Sequence, residues 1–265
     1  MTVDVGVAGH PIIHSLSPFI HAAWIEAAGI DAYYGSYGPN DPDQFGALLD
    51  WGRRGGLRGL NVTAPFKELA LSLADEVGPT AAVCGSANLL VFEDGRILAD
   101  STDGAGLMEA LAEQAPGLDL GGQPVVVLGA GGAARAAVAA LVAAGAEVGV
   151  LNRTVARAEA LVAEVGGAVV GPDAPARAAL VVNALSVPPV LEISALRPDA
   201  VLMDMTYRPL MTPFLMAGRG RGLTVVDGLA MLIGQARPSF HAMWGIDPPD
   251  VDVRAITLRV LESES

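Results

Sequence analysis

Val125-Val126-Val127-Leu128-Gly129-Ala130-Gly131-Gly132-Ala133-Ala134 runs directly into an alanine-rich stretch that ends at Ala144. Val125 to Leu128 is a continuous apolar run of strand length, and Ala133 to Ala144 reads as a helix. Between them, Gly129, Gly131 and Ala134 satisfy the pattern G-x-G-x-x-A. Glycine permits the tight turn and lets backbone approach a pyrophosphate, while the helix amino terminus offers unpaired N–H groups and a positive dipole end to an anion. A glycine turn that only packs strand on helix would use the same string. Strand, motif and helix in succession favour dinucleotide binding through Gly129, Ala130, Gly131, Gly132 and Ala133.

The next strand, Glu147 to Leu151, selects the dinucleotide. NAD enzymes place Asp or Glu after it to bind ribose hydroxyls, whereas this chain has Asn152-Arg153-Thr154 and then Arg157. Guanidinium forks suit a 2′-phosphate, so NADP is the expected cofactor. Surface charge at a helix start is the plain alternative, but cations there oppose the helix dipole unless an anion is present. Leu180 to Asn183, Val201 to Asp204 and Leu223 to Val226 supply further short apolar strands. Residues 104–235 are therefore read as a Rossmann NADP-binding domain.

Upstream, strands again alternate with helices. Val3 to Gly9, Ala32 to Tyr37 and Leu57 to Val62 read as strands, and Ser17-Pro18 to about Ala28 and Asp43 to Arg53 as helices, Ser17 serving as an N-cap. Leu89 to Phe92 and Arg96 to Ala99 flank Glu93-Asp94-Gly95, a hairpin expected at the far edge of this unit. Helices over Gly228 to Trp244 and Val251 to Leu261 are expected to return to it. The fold class is thus α/β with two domains: an N-terminal substrate domain with a mostly parallel sheet, residues 1–103 plus 236–265, and the Rossmann domain.

Composition narrows the function classes. With 52% hydrophobic residues in 265, the chain can bury a substantial core. A formal charge of −13 disfavours nucleic acid and anionic membrane surfaces as partners. No leader-like terminus and no apolar run of about 18 residues occurs, so a cytoplasmic location is expected. One cysteine, Cys84, allows no internal disulfide and no thiolate metal cluster, and no metal is expected. Of 16 Lys and Arg, only Lys67 is a lysine. An amine can release its proton near neutral pH whereas guanidinium cannot, so a lysine that persists against such a bias points to proton transfer. A stray surface lysine is the bland alternative.

Polar residues gather at strand ends, where ligands bind in open α/β sheets. Ser15 and Ser17 precede a helix and could bind a carboxylate, although on their own they read as a helix cap. Asn61, Thr63 and Lys67 follow the third strand, Asn88 precedes the hairpin and Asp103 closes it. Five stretches together resemble the shikimate dehydrogenase family: His14-Ser15-Leu16-Ser17-Pro18, Asn61-Val62-Thr63-Ala64-Pro65-Phe66-Lys67, Gly129 to Ala133 with Asn152-Arg153-Thr154, Asp204-Met205-Thr206-Tyr207, and Gly228 to Gln235. The resemblance covers nearly the whole chain. It implies NADPH-dependent reduction of 3-dehydroshikimate to shikimate, a step of aromatic amino-acid biosynthesis on the chorismate pathway. It also implies that Ser15 and Ser17 bind the substrate carboxylate and that Thr63, Asn88, Tyr207 and Gln235 contact ring substituents, with Asn61 beside them. Lys67 and Asp103 are implied at the reacting centre, with Met205 and Gly228 against the nicotinamide. A homodimer is compatible with it.

Three departures from the family pattern stand out. Ser101-Thr102-Asp103 replaces Asn-Thr-Asp, Asn88-Leu89 replaces Asn-Thr, and Asn183-Ala184-Leu185-Ser186 is followed by Val187-Pro188-Pro189 in place of a glycine. They keep two other readings open, a quinate or related cyclic hydroxy-acid dehydrogenase and a non-catalytic NADP- or metabolite-binding homologue.

Overall fold

Strand β1 (Val3–Ala8) feeds helix α1 (Ser17–Ala27), and the alternation continues through β2 (Ala32–Tyr37), α2 (Pro42–Arg53), β3 (Gly59–Val62), α3 (Lys67–Ser72), β4 (Glu76–Val77), α4 (Pro79–Cys84), β5 (Leu89–Glu93) and β6 (Arg96–Asp100). The computed structural model describes residues 3–263. These strands form one sheet in the order β2-β1-β3-β5-β6-β4, in which only β5 runs antiparallel to its neighbours. Asp94 and Gly95 have φ of 50° and 75°, the left-handed pair that a two-residue hairpin loop requires. The hairpin is not the edge of the sheet, as the sequence suggested, because β4 pairs outside β6. A two-residue strand carrying Glu76 has too little apolar pattern to be read beforehand, and a short, charged strand is a good guard for an open edge.

The second series comprises α5 (Asp103–Gln114), β7 (Pro124–Leu128), α6 (Gly132–Ala143), β8 (Glu147–Leu151), α7 (Val155–Val165), β9 (Ala168–Val169), β10 (Leu180–Asn183), β11 (Val201–Asp204), α8 (Pro213–Gly220) and β12 (Thr224–Val226). Its sheet, β12-β11-β10-β7-β8-β9, is parallel throughout. Val125, Val127, Leu180 and Val182 pack on one face with Leu107 and Val138, whereas Val126, Leu128, Val181 and Leu202 pack on the other with Phe214 and Leu215. Burial on both faces is why these strands read as unbroken apolar runs.

Helices α9 (Gly228–Trp244) and α10 (Val253–Ser263) end the chain. The chain divides into two units, Met1–Thr102 with Gln235–Ser265, and Asp103–Gly234. In the first unit Phe45 and Phe66 stack with centroids 4.8 Å apart, within a core that includes Leu49, Leu60 and Leu90. The N-cap of α1 is Leu16, without a side-chain bond, so Ser17 stands in the first turn and does not cap it as expected. The Ser17 side chain is engaged by Tyr34 instead, and Pro18 stands in the first turn, where a missing N–H costs no helical bond.

Candidate active site

In the first unit β1, β3 and β6 run the same way and β5 begins where they end, so one sheet edge collects the polar residues. Gly9 follows β1, and a Cβ there would lie 2.2 Å from Thr63 Cγ2; glycine is what leaves room for the Thr63 side chain. Asn61 and Asn88, both buried, lie behind that edge. Tyr34 Oη donates to Asn61 Oδ1 at 2.8 Å, and Asn61 Nδ2 donates to Ser239 Oγ at 2.9 Å. Ser239 Oγ donates its one proton to the Gln235 carbonyl at 3.1 Å, so at its 3.2 Å contact with Thr102 Oγ1 it accepts. Asn88 Oδ1 accepts from the Thr102 amide at 2.7 Å, while Asn88 Nδ2 donates to Thr102 Oγ1 at 3.0 Å and Gln235 Oε1 at 3.2 Å. Each amide orientation is thereby fixed by its neighbour.

The network carries no charge. Burial pushes the Tyr34 hydroxyl well above its ordinary range, a hydrogen bond with Ser17 partly offsetting this. Ser17 is thus buried and already bonded, whereas Ser15 is half-buried with its Oγ accepting from the Ser17 amide at 3.3 Å. Lys67 opens α3, half-buried, and its carbonyl accepts from the Ala87 amide at 3.0 Å. Ser101 Oγ is buried without a hydrogen-bond partner among the described residues. Leu89 is buried and pairs with Asn61 in the ladder.

The second unit holds the rest. Asp103 is buried as the first residue of α5. Gly129 has φ +115°, and a Cβ there would come within 3.1 Å of Leu185 Cδ2. Leu185, one of the departures, thus packs beneath the glycine turn. A Cβ on Gly131 would meet nothing within 4 Å, so packing does not explain that glycine, and the space beside it is open. Gly131 is the N-cap of α6 and supplies no side-chain bond to the first amides. Both features fit a pyrophosphate. Ala130, Gly132 and Ala133 are half-buried along this turn. Arg153, Thr154 and Arg157 are exposed around the start of α7, which has no acidic residue in its first turn, and Asn152 Nδ2 donates to the Thr154 carbonyl at 2.8 Å.

Met205 and Gly228 are brought together, since a Cβ on Gly228 would fall 2.7 Å from the Met205 carbonyl oxygen and 2.6 Å from that of Thr206. Tyr207 lies half-buried on the same turn. Among the described residues no cluster of three His, Cys, Asp or Glu could hold a metal. Tyr34 and Ser239 escaped the sequence reading, and Thr102 and Asp204 stood there within quoted stretches without a role. Ser239 alone had a local signal, standing one helical turn beyond Gln235 on α9.

Residues 7–90 match the model of the shikimate dehydrogenase substrate binding domain, and residues 110–178 that of shikimate / quinate 5-dehydrogenase. A shikimate dehydrogenase (NADP(+)) of Caulobacter vibrioides is 51% identical over 97% of this chain and 95% of its own length. The one from Dinoroseobacter shibae is 45% identical, over 92% of each. The shikimate 5-dehydrogenase of Thermus thermophilus, solved with NADP(H) and shikimate, superposes with a TM-score of 0.90 at 37% identity, covering 97% of this chain and 99% of that one. A quinate dehydrogenase of Corynebacterium glutamicum with NAD gives 0.88 at 30%, covering 97% and 99%. Two domain models matched in chain order, and relatives aligned along almost the entire length, place this chain in the shikimate dehydrogenase family.

Proposed function

We propose that this chain catalyses the reversible NADPH-dependent reduction of 3-dehydroshikimate to shikimate, in the cytoplasm. The observation that carries the reading is the neutral hydrogen-bond network at the edge of the first unit. There Asn61, Asn88, Thr102, Ser239 and Gln235 fix one another's orientation, Tyr34 joins Asn61 to Ser17, and Lys67 opens the helix after β3. A small acid bearing several ring hydroxyls needs such a set of oriented neutral donors and acceptors.

In this proposal Ser15 and Ser17 hold the carboxylate, and Asn61, Thr63, Asn88, Tyr207 and Gln235 contact the ring oxygens. Lys67 gives a proton to the oxygen that becomes the hydroxyl and takes it back in the reverse direction, while Asp103 orients the lysine and that hydroxyl. The cofactor, when bound, supplies the hydride. The amides of Gly129 to Ala133 hold its pyrophosphate, Asn152, Arg153, Thr154 and Arg157 its 2′-phosphate, and Met205 and Gly228 line its nicotinamide end.

An absorbance assay at the NADPH band, crossing shikimate and quinate with NADP and NAD, tests the reading. Fastest turnover is expected with shikimate and NADP. Faster turnover of quinate would transfer the chain to quinate metabolism, and no NADPH oxidation with saturating 3-dehydroshikimate would make it a binding protein.

A further inference from the structure

The motif Asp204-Met205-Thr206-Tyr207 contains a residue to which the proposed reaction gives no role. Asp204 ends β11 at the carboxyl edge of the second sheet and is 1% exposed. A carboxylate so placed must collect hydrogen bonds to offset its lost hydration. Asp204 Oδ1 accepts from Asn183 Nδ2 at 3.1 Å and from the Thr206 amide at 3.0 Å, and Oδ2 accepts from Thr212 Oγ1 at 2.7 Å. These three donors belong to three different segments: the end of β10, the turn that carries Met205 and Tyr207, and the N-cap of α8.

The connection extends to the glycine turn. Asn183 Oδ1 accepts from the Leu185 amide at 3.2 Å, its carbonyl accepts from the Met205 amide at 3.0 Å, and the Ala184 amide donates to the Leu128 carbonyl at 3.0 Å. Ala184 and Leu185 in turn pack under Gly129. One carboxylate therefore ties the Met205–Tyr207 turn, through Asn183, to the turn at which α6 begins.

We infer that Asp204 is a positioning residue, which latches the Asn183–Ser186 and Met205–Tyr207 turns into one rigid rim and so sets Met205 and Tyr207 relative to the glycine-rich turn. Its effect on turnover rests on the function proposed above, whereas the latch itself does not. Charge-assisted bonds suit the task because they are short and directional.

Amide hydrogen exchange and kinetics together test this. In Asp204→Ala the Leu185 and Thr206 amides should exchange faster than in the parent. Turnover should fall by about 10- to 100-fold, the order expected when reacting groups are displaced by a fraction of an ångström to an ångström. NADPH affinity by fluorescence titration should change little, since phosphate groups anchor it elsewhere. Asp204→Asn should recover most of both readouts, because its Oδ1 can still accept from Asn183 and Thr206 while its Nδ2 donates to Thr212 Oγ1. A folded Asp204→Ala protein with unchanged exchange at both amides, or with parental kcat and KM and only a lower Tm, overturns the inference. So does an Asp204→Asn protein as impaired as the alanine variant. If Asp204→Ala does not fold, Asn183→Ala removes one donor to Asp204 and must show faster exchange at the Thr206 amide, which bonds Asp204 and not the Asn183 side chain; unchanged exchange there overturns the inference. A parent protein inactive on shikimate and quinate would defeat the proposed function and leave the exchange measurement to judge the latch.

Discussion

Lys67 shows how far a single residue can be read. Its uniqueness among the basic residues and its place in the matched stretch Asn61 to Lys67 pointed to proton transfer, and the structure puts it at the start of α3, half-buried, just after Asn61 and Thr63 at the end of β3. Lys67→Ala should lower kcat by roughly 10²- to 10⁴-fold, the usual contribution of a general acid or base, with NADPH affinity nearly intact. Lys67→Arg should restore little, because guanidinium holds its proton; near-normal turnover in that variant would leave the lysine an electrostatic anchor only. Gly228 is decided by space instead. An added methyl would stand 2.6 Å and 2.7 Å from two backbone oxygens that have no rotamer to yield. Gly228→Ala should therefore move the Met205–Thr206 backbone and cut turnover by about tenfold or more, again by misplacement of the reacting groups. A variant with parental kcat and a parental Met205 environment by NMR would refute that. Residues such as Ser15, Asn61 and Asn88 were legible because polar types at strand ends are informative by themselves. Tyr34 was not, since it acquires its role from Asn61 across 27 positions of sequence; Ser239 and Asp204 have some partners close by, Gln235 and Thr206, but the rest of each set, Asn61 and Asn183, comes together only in the fold.

Among the elements, five strands of the second sheet were legible almost to the residue, because two covered faces leave an unbroken apolar run with polar ends; β9, two exposed residues at the sheet edge, gave no such run and was missed. Helix α5 was missed for the opposite reason. Gly104 and Gly106 lower its helical signal, yet a Cβ on Gly104 would lie 3.0 Å from Ala140 Cβ, so the glycine lets α5 approach α6 closely. Helix α7 carries a prediction of its own. Its N-cap, Thr154, makes no side-chain bond, its first turn has no acid, and Arg153 and Arg157 surround its positive dipole end. Such a terminus is electrostatically unfavourable until an anion arrives. Arg153→Ala should consequently raise KM for NADP far more than for NAD. Equal losses with both cofactors would mean that the 2′-phosphate is held elsewhere.

For the molecule as a whole, stability toward acid is set partly by a histidine to which the proposed reaction gives no role. His21 is fully buried in α1, stacked on Tyr34 at 4.3 Å and edge-on to Trp24 at 5.7 Å, and neither ring nitrogen has a hydrogen-bond partner among the described residues. Burial alone lowers its pKa from 6.5 to about 3. In the folded protein it stays neutral down to that pH, while in the unfolded chain it takes up a proton below 6.5, so the unfolded state binds more protons throughout this window. Stability is accordingly complete above pH 6.5 and falls as the pH drops from 6.5 toward 3, by about 1.4 kcal/mol per pH unit from this one group. His21→Phe keeps an aromatic ring in the stack and removes the titration. It should behave like the parent at pH 7 and unfold at lower pH. All three tryptophans, Trp24, Trp51 and Trp244, lie in the unit that contains His21, so intrinsic fluorescence reports on the affected part of the chain. Acid-unfolding curves of parent and variant that differ by the same amount at every pH would show that the substitution changes packing alone, and would remove His21 as the source of acid sensitivity.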